Sequence, residues 1–301
     1  MASLDWWVLL VAALTGCCAG ALIGMVGVGG IIIVPVLIQL PGISTKTAIA
    51  SAMFSYMFVG IGGSIAFARN GSINWPSTAW MGLGSLVAAF LGSFTLTYFP
   101  EDVLKTVLYG FMLFSSIIAV CKSLSKENKE EGEGVGEEEL HEGQQSSMEP
   151  NERDEVPPLG SSGWDRLSVD TFIGRLSRVA IGAVAGFGSA LTGTSGPVVL
   201  LPILLLLRWD VMESLGSAQV LQVPIALAAT VANICLPEME SYIDFELGSC
   251  IAAGLTPCAF IGAYLAHKIK PQRLTLIVAL TLVTAALALL TKEIVTNNSS
   301  S

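Results

Sequence analysis

Gly24-Met25-Val26-Gly27-Val28-Gly29-Gly30-Ile31-Ile32-Ile33-Val34-Pro35 is the stretch on which the fold turns. Its glycines crowd into the middle of an apolar run that reaches from Trp6 to Leu40. Each glycine inside a helix costs roughly 1 kcal/mol against alanine, so the run does not read as one continuous helix. In hydrocarbon a broken helix exposes N–H and C=O groups, and this is tolerated only where the break is buried in protein or lines a cavity. The pattern returns at Gly186-Phe-Gly188-Ser-Ala-Leu-Thr-Gly193-Thr-Ser-Gly196-Pro197-Val-Val-Leu-Leu-Pro202.

The surrounding composition says which solvent the chain meets. Of 301 residues, 52% are hydrophobic and only 13% charged, with a mean hydropathy of +0.68. Soluble domains carry about 25% charged residues, so the reading is an all-α, polytopic membrane protein. The formal net charge of −9 belongs almost wholly to one loop, because Lys122 to Glu155 holds 12 acids against 4 bases. The membrane body is near neutral, and nothing suggests a nucleic-acid surface.

Apolar runs of membrane-crossing length follow the first break: Thr47 to Ala68, Trp75 to Phe99 and Val103 to Val120. A bilayer needs about 20 such residues. They are dense in glycine, alanine and serine, which lets helices approach closely where no hydrophobic force drives association. Leu14-Thr-Gly-Cys17 resembles a lipoprotein cleavage box, but Met1 to Asp5 has no basic residue, so the segment reads as the first membrane helix.

From residue 122 to 163 the chain is rich in Glu, Gly, Ser and Gln. Such a segment is too polar to bury a core and reads as an acidic disordered linker. It separates a first transmembrane repeat, 1–121, from a second, 164–301. In the second, Trp164 to Val179 spaces Arg166, Arg175 and Arg178 between apolar residues. That pattern suits either an amphipathic helix in the interface or a simple extension of the next span.

The second repeat copies the first. Gly16, Gly20 and Gly27 match Gly182, Gly186 and Gly193 at an offset of 166; Pro35 matches Pro202 at 167, and Gly92 matches Gly262 at 170. Spans near Ser214 to Leu236, Phe245 to His267 and Leu274 to Leu290 complete about eight transmembrane helices in two four-span repeats, the first helix of each broken by glycine. Lys268, Lys270 and Arg273 mark one loop as cytoplasmic, while 236–246 has four acids and no base. The sequence leaves open whether the repeats are parallel or inverted.

No enzyme constellation is present: no nucleophile pairs with a base, and the two histidines are far apart. The six cysteines lack metal-ligand spacing and read as small hydrophobes. Neither metal nor cofactor is expected. What remains is backbone chemistry. If Ile31 to Leu40 and Val198 to Leu207 are half-helices, their first N–H groups lack intrahelical partners and carry roughly +0.5 charge each, which makes an anion site without lysine or arginine. Two interrupted segments in matching places mark the central site of a transporter. The candidate substrate-binding residues are Gly27, Gly29 and Gly30 in the first break, and Thr194, Ser195 and Gly196 in the second. Ser51 and Ser217 join them, with Gln219 and Gln222, whose amides need partners in an apolar span. For the two glutamines, substrate contact and interhelical hydrogen bonding both remain open. Glycine in small-xxx-small spacing also serves helix packing, which accounts for Gly16, Gly20 and Gly24 without a site.

With these residues assembled, the chain resembles the TauE/SafE sulfite exporter family. The resemblance rests on Val26 to Pro35, on its degenerate repeat ending at Pro202, and on two four-span halves joined by a polar loop. It covers nearly everything but the linker. The second motif departs from the family pattern, with Thr194-Ser195-Gly196-Pro197 in place of a glycine run. The resemblance implies export of sulfite or a related sulfur oxyanion or organosulfonate across the plasma membrane. It implies coupling to an ion gradient, with H+ or Na+ as the coupling ion, although no carboxylate inside a span marks a proton path. The alternatives from other classes are a membrane scaffold or sensor that recruits partners through its acidic loop, and an anion channel.

Overall fold

The computed structural model describes residues 5–27, 29–100, 103, 104, 106, 107, 110, 171–207, 209–235, 242–266 and 268. The acidic linker and the runs 111–120 and 274–290, expected to complete the fourth spans, lie outside the described residues. The described part is all-helical.

The helices are α1 (Trp6–Val26), α2 (Gly30–Leu37), α3 (Thr45–Arg69), α4 (Trp75–Leu96), α5 (Phe172–Thr192), α6 (Gly196–Leu206), α7 (Val211–Cys235) and α8 (Phe245–Ala266). The long helices come in pairs of equal length: α1 and α5 have 21 residues, α3 and α7 have 25, and α4 and α8 have 22. Among the described residues α1, α3, α4, α7 and α8 are long and apolar enough to cross a membrane. Helix α5 has the length but carries Arg175 and Arg178 in its first two turns.

Local chemistry sets the ends. Ser44 and Asn74 cap α3 and α4 by accepting from Thr47 N–H (3.1 Å) and Ser77 N–H (3.2 Å). Asp210 and Asp244 do the same for α7 and α8, taking Met212 N–H at 2.8 Å and Leu247 N–H at 3.0 Å. These side chains satisfy N–H groups that have no carbonyl one turn back. Helices α1 and α5 both stop on a left-handed glycine, Gly27 at φ 78° and Gly193 at φ 67°. Each returns its N–H to a carbonyl four residues back, to Ile23 and Ser189 respectively. Only glycine adopts that conformation without a Cβ penalty.

Glycine contacts fix the helix directions. Gly16, Gly20 and Gly24 of α1 rest in turn on the backbones of Ile251, Leu255 and Ala259, so α1 and α8 are parallel. Gly182 and Gly186 of α5 rest on Met81 and Ser85, making α4 and α5 parallel as well. Ser51 and Ser55 of α3 donate to the Asp244 and Gly248 carbonyls at 3.3 and 2.9 Å, so α3 also runs with α8. Helix α7 runs against α3, because Gly60 meets Val223 and Gln222 whereas Gly63 meets Gln219. Gly216 lies on Ser72, which puts the starts of α7 and α4 at the same end. Hence α1, α3 and α8 point one way and α4, α5 and α7 the other, and the two halves are inverted with respect to each other.

Each break folds the chain back rather than merely unwinding it. Gly29 packs on Ala19 and Ile23 of α1, and Val199 of α6 touches Gly188 of α5, 3.5 Å from where a Cβ would stand. The two short helices therefore lie inside the bundle, with Ile33, Val34, Leu37, Leu200 and Leu204 fully buried. Outward, Leu83, Val87 and Leu91 on α4 and Ile261 on α8 are exposed, as a surface in contact with lipid requires. Trp6, Trp75, Phe172 and Phe245 are exposed at helix starts, the depth at which aromatic side chains gather in membranes.

The second half begins differently from one sequence expectation. Arg178 does not face headgroups: it is buried, with Nε donating to Ser77 Oγ at 3.0 Å and a guanidinium nitrogen to the Gly174 carbonyl at 2.9 Å. Arg175 stacks over Trp80 at 5.3 Å. From Phe172 onward this segment is the first part of α5, and residues 164–170 lie outside the described residues.

Candidate functional site

The two breaks touch. Gly30 sits against Ser195, where a Cβ would come within 2.6 Å of the serine Oγ, and Gly27 sits against Pro197 at 2.7 Å. Ser195 Oγ donates to the Gly27 carbonyl at 3.2 Å. The approach needs glycine on one side and a small residue on the other, which the Gly-rich first motif and the Thr-Ser-Gly-Pro second motif supply. Gly27, Gly29, Gly30, Thr194, Ser195 and Gly196 are all buried.

The starts of α2 and α6 thus meet inside the bundle, approaching from opposite sides. Pro197 occupies the first turn of α6, where its missing N–H costs nothing. Pro35 and Pro202 fall within α2 and α6, each leaving the carbonyl one turn back without its helical donor. Two helix starts converging among buried residues form a preorganised positive region for an anion, built from backbone dipoles.

Side chains ring this centre unequally. In the first half the Tyr56 hydroxyl donates to the Gly30 carbonyl at 2.8 Å. Its counterpart 166 residues on is Gln222, beside Gly196, where a Cβ would lie 3.5 Å from the Gln222 Cα. Gln222 is fully buried, and neither its Nε2 nor its Oε1 has a hydrogen-bond partner among the described residues. Gln219 donates Nε2 to the Ile23 carbonyl at 2.7 Å, at the end of α1, and its Oε1 is unpartnered. Thr194 shares a 2.8 Å hydroxyl contact with Thr192, which also donates to the Gly188 carbonyl.

Not every expected residue comes to the centre. Ser51 and Ser55 lie on the α8 side of α3, held by the Asp244 and Gly248 carbonyls. Gln219 sits at the level of Gly63, twelve residues from Ser51 on the same helix, or about 18 Å along the axis. Ser217 is buried with an unpartnered hydroxyl, next to the glycine that packs on Ser72 before α4. Gly29 packs on the α1 backbone rather than on the other break. Tyr56 was not among the expected site residues, although its alignment with Gln222 at the repeat offset is visible in the sequence.

Among the described residues no group of three His, Cys, Asp or Glu is placed to hold a metal, and the five described cysteines are free thiols. The arrangement offers binding through dipoles, hydroxyls and amides.

Residues 12–289 match the family model for the sulfite exporter TauE/SafE. The chain is similar to the probable membrane transporter protein YjnA of Bacillus subtilis, with 23% identity over 92% of this chain and 98% of the relative. It is also similar to a probable membrane transporter protein of Methanocaldococcus jannaschii, at 20% identity over 88% and 89% of the two chains. No solved structure matches the chain.

Proposed function

We propose that this chain, which belongs to the sulfite exporter TauE/SafE family, exports sulfite or a related sulfur oxyanion or organosulfonate by alternating access of its two halves. It is an integral membrane protein of a transporter family. The observation that carries the anion reading is the close approach of Gly30 to Ser195, where a Cβ would come within 2.6 Å of the serine Oγ, which brings the starts of α2 and α6 together inside the bundle. Their partial positive charges favour a small anion without a fixed cation that would hold it too tightly.

With the breaks in contact the centre is sealed, so an anion is admitted only when the halves part. Inverted halves give that motion two equivalent directions, one toward each side of the membrane. The plasma membrane is the proposed location, and H+ or Na+ the proposed coupling ion. The substrate class comes from the family; the geometry supports only a small anion.

The test is sulfite flux into proteoliposomes containing the purified protein, with and without a pH gradient. Saturable flux that responds to the gradient supports proton-coupled export. Flux that ignores it but follows a sodium gradient moves the coupling to Na+, and no sulfite flux under any gradient removes the substrate assignment.

A further inference from the structure

Helix α7 continues beyond the glutamines in a way that packing does not explain. Its face toward α3 is set by Gln219 against Gly63 and Gln222 against Gly60. Steps of four, four and three residues from Gln222 reach Ala226, Thr230 and Asn233, which keeps all of them on that face. Thr230 is 5% exposed and Asn233 1%. Thr230 Oγ1 and both amide atoms of Asn233 have no hydrogen-bond partner among the described residues, like the amide of Gln222.

The matching face of α3, 166 residues earlier, reads Met53, Tyr56, Gly60, Ser64 and Phe67. There the polar groups are consumed at home: Tyr56 bonds the Gly30 carbonyl and Ser64 the Gly60 carbonyl. The fold is therefore built at these positions without free polar groups, and α7 has them on one side only. Buried unpaired amides and hydroxyls cost stability, and an apolar replacement of the same shape is neutral or better for folding.

We propose that this face of α7 is the polar wall of the substrate path, with Thr230 and Asn233 as a second station for the oxyanion between the central breaks and the end of the bundle where α3 begins. The inference rests on the transport reading above. From Gln219 to Asn233 the wall spans about 21 Å of helix, most of the roughly 30 Å hydrocarbon thickness. Amide N–H and threonine O–H groups donate to the oxyanion, while amide oxygens accept from the water or acidic proton that it carries. Lys46, whose Nζ donates to the Thr97 carbonyl at 2.9 Å, lies in the first turn of α3 at that same end.

The experiment compares labelled sulfite flux and thermal unfolding for wild type, Asn233→Leu, Thr230→Val and Asn233→Ser in proteoliposomes. Expected are maximal rates about tenfold lower for the Leu and Val variants, with half-saturation nearly unchanged and unfolding temperature equal or higher. Asn233→Ser, which replaces the amide with a hydroxyl and so keeps a hydrogen-bonding side chain, restores much of the rate. Normal wild-type flux with both apolar variants within about twofold of it would overturn the path alone. A rate loss matched by a lower unfolding temperature would also overturn it, because that is the signature of a structural hydrogen bond. No wild-type flux would overturn the transport reading and the path together.

Discussion

Ser195 donates its hydroxyl to the carbonyl oxygen of Gly27 at 3.2 Å, joining residues 168 positions apart across the two inverted halves. It links the glycine that ends α1 to the residue that precedes α6. With Gln219 Nε2 donating to the Ile23 carbonyl beside it, the closure is held by neutral hydrogen bonds and is weak enough to open, since each such bond contributes only about 0.5–1.5 kcal/mol net.

Removing that bond should loosen the seal. Ser195→Ala is expected to speed amide hydrogen exchange in residues 24–32 by about two- to tenfold, the range that 0.5–1.5 kcal/mol implies. The measurement is exchange by mass spectrometry in detergent or nanodiscs. Unchanged exchange there would mean that the closure is held elsewhere.

Glycines of two kinds should separate in mutation. At Gly196 a Cβ would come 3.1 Å from the flexible Ile225 Cδ1, so Gly196→Ala should fold at a cost of about 1 kcal/mol and lower sulfite flux by about tenfold. At Gly24 and Gly29 a Cβ would strike the Ala259 and Ala19 carbonyls of the backbone. Gly24→Leu and Gly29→Leu should therefore yield little folded protein, which size-exclusion profiles and expression levels report. A well-folded Gly24→Leu variant would contradict the α1–α8 packing described above.

Much of this was legible in the sequence. The repeat offset of 166 places α1 against α5 and α3 against α7 with matching first residues, because breaks and caps are written in glycine, proline and short polar residues. Orientation was not legible, since Gly27 alone does not say whether the chain unwinds or turns back; the contact of Gly29 with Ala19 does. Ser51 and Ser217 resemble site residues by position and type, yet Ser51 faces α8 and bonds Asp244. Helical rotation, not identity, decides that. For Arg178 the sequence left an interfacial helix and an extension of the next span both open, because the Ser77 that it bonds lies 101 positions away.

Tyr56 should prove structural. Tyr56→Phe removes the donor to the buried Gly30 carbonyl, and stranding that acceptor is expected to cost about 1–3 kcal/mol. A lower unfolding temperature with half-saturation for sulfite unchanged is the predicted outcome. A shift in half-saturation without a change in stability would instead bring Tyr56 into contact with substrate.

The acidic linker separates transport from scaffolding. Deleting residues 127–155 should leave sulfite flux within about twofold of wild type, because shortening the 122–163 connection roughly threefold alters its closure cost by only about 1 kcal/mol. Loss of flux in a well-folded deletion variant would give the loop a direct part in the cycle and revive the recruiting-scaffold alternative.

Counterflow tests the central claim most directly: labelled sulfite is presented outside proteoliposomes preloaded with unlabelled sulfite. Parting and closing of the Gly27–Ser195 contact predicts transient, saturable accumulation of label above its equilibrium level, reached about tenfold more slowly in Gly196→Ala. Entry of label that neither saturates nor overshoots would contradict alternating access and describe a channel.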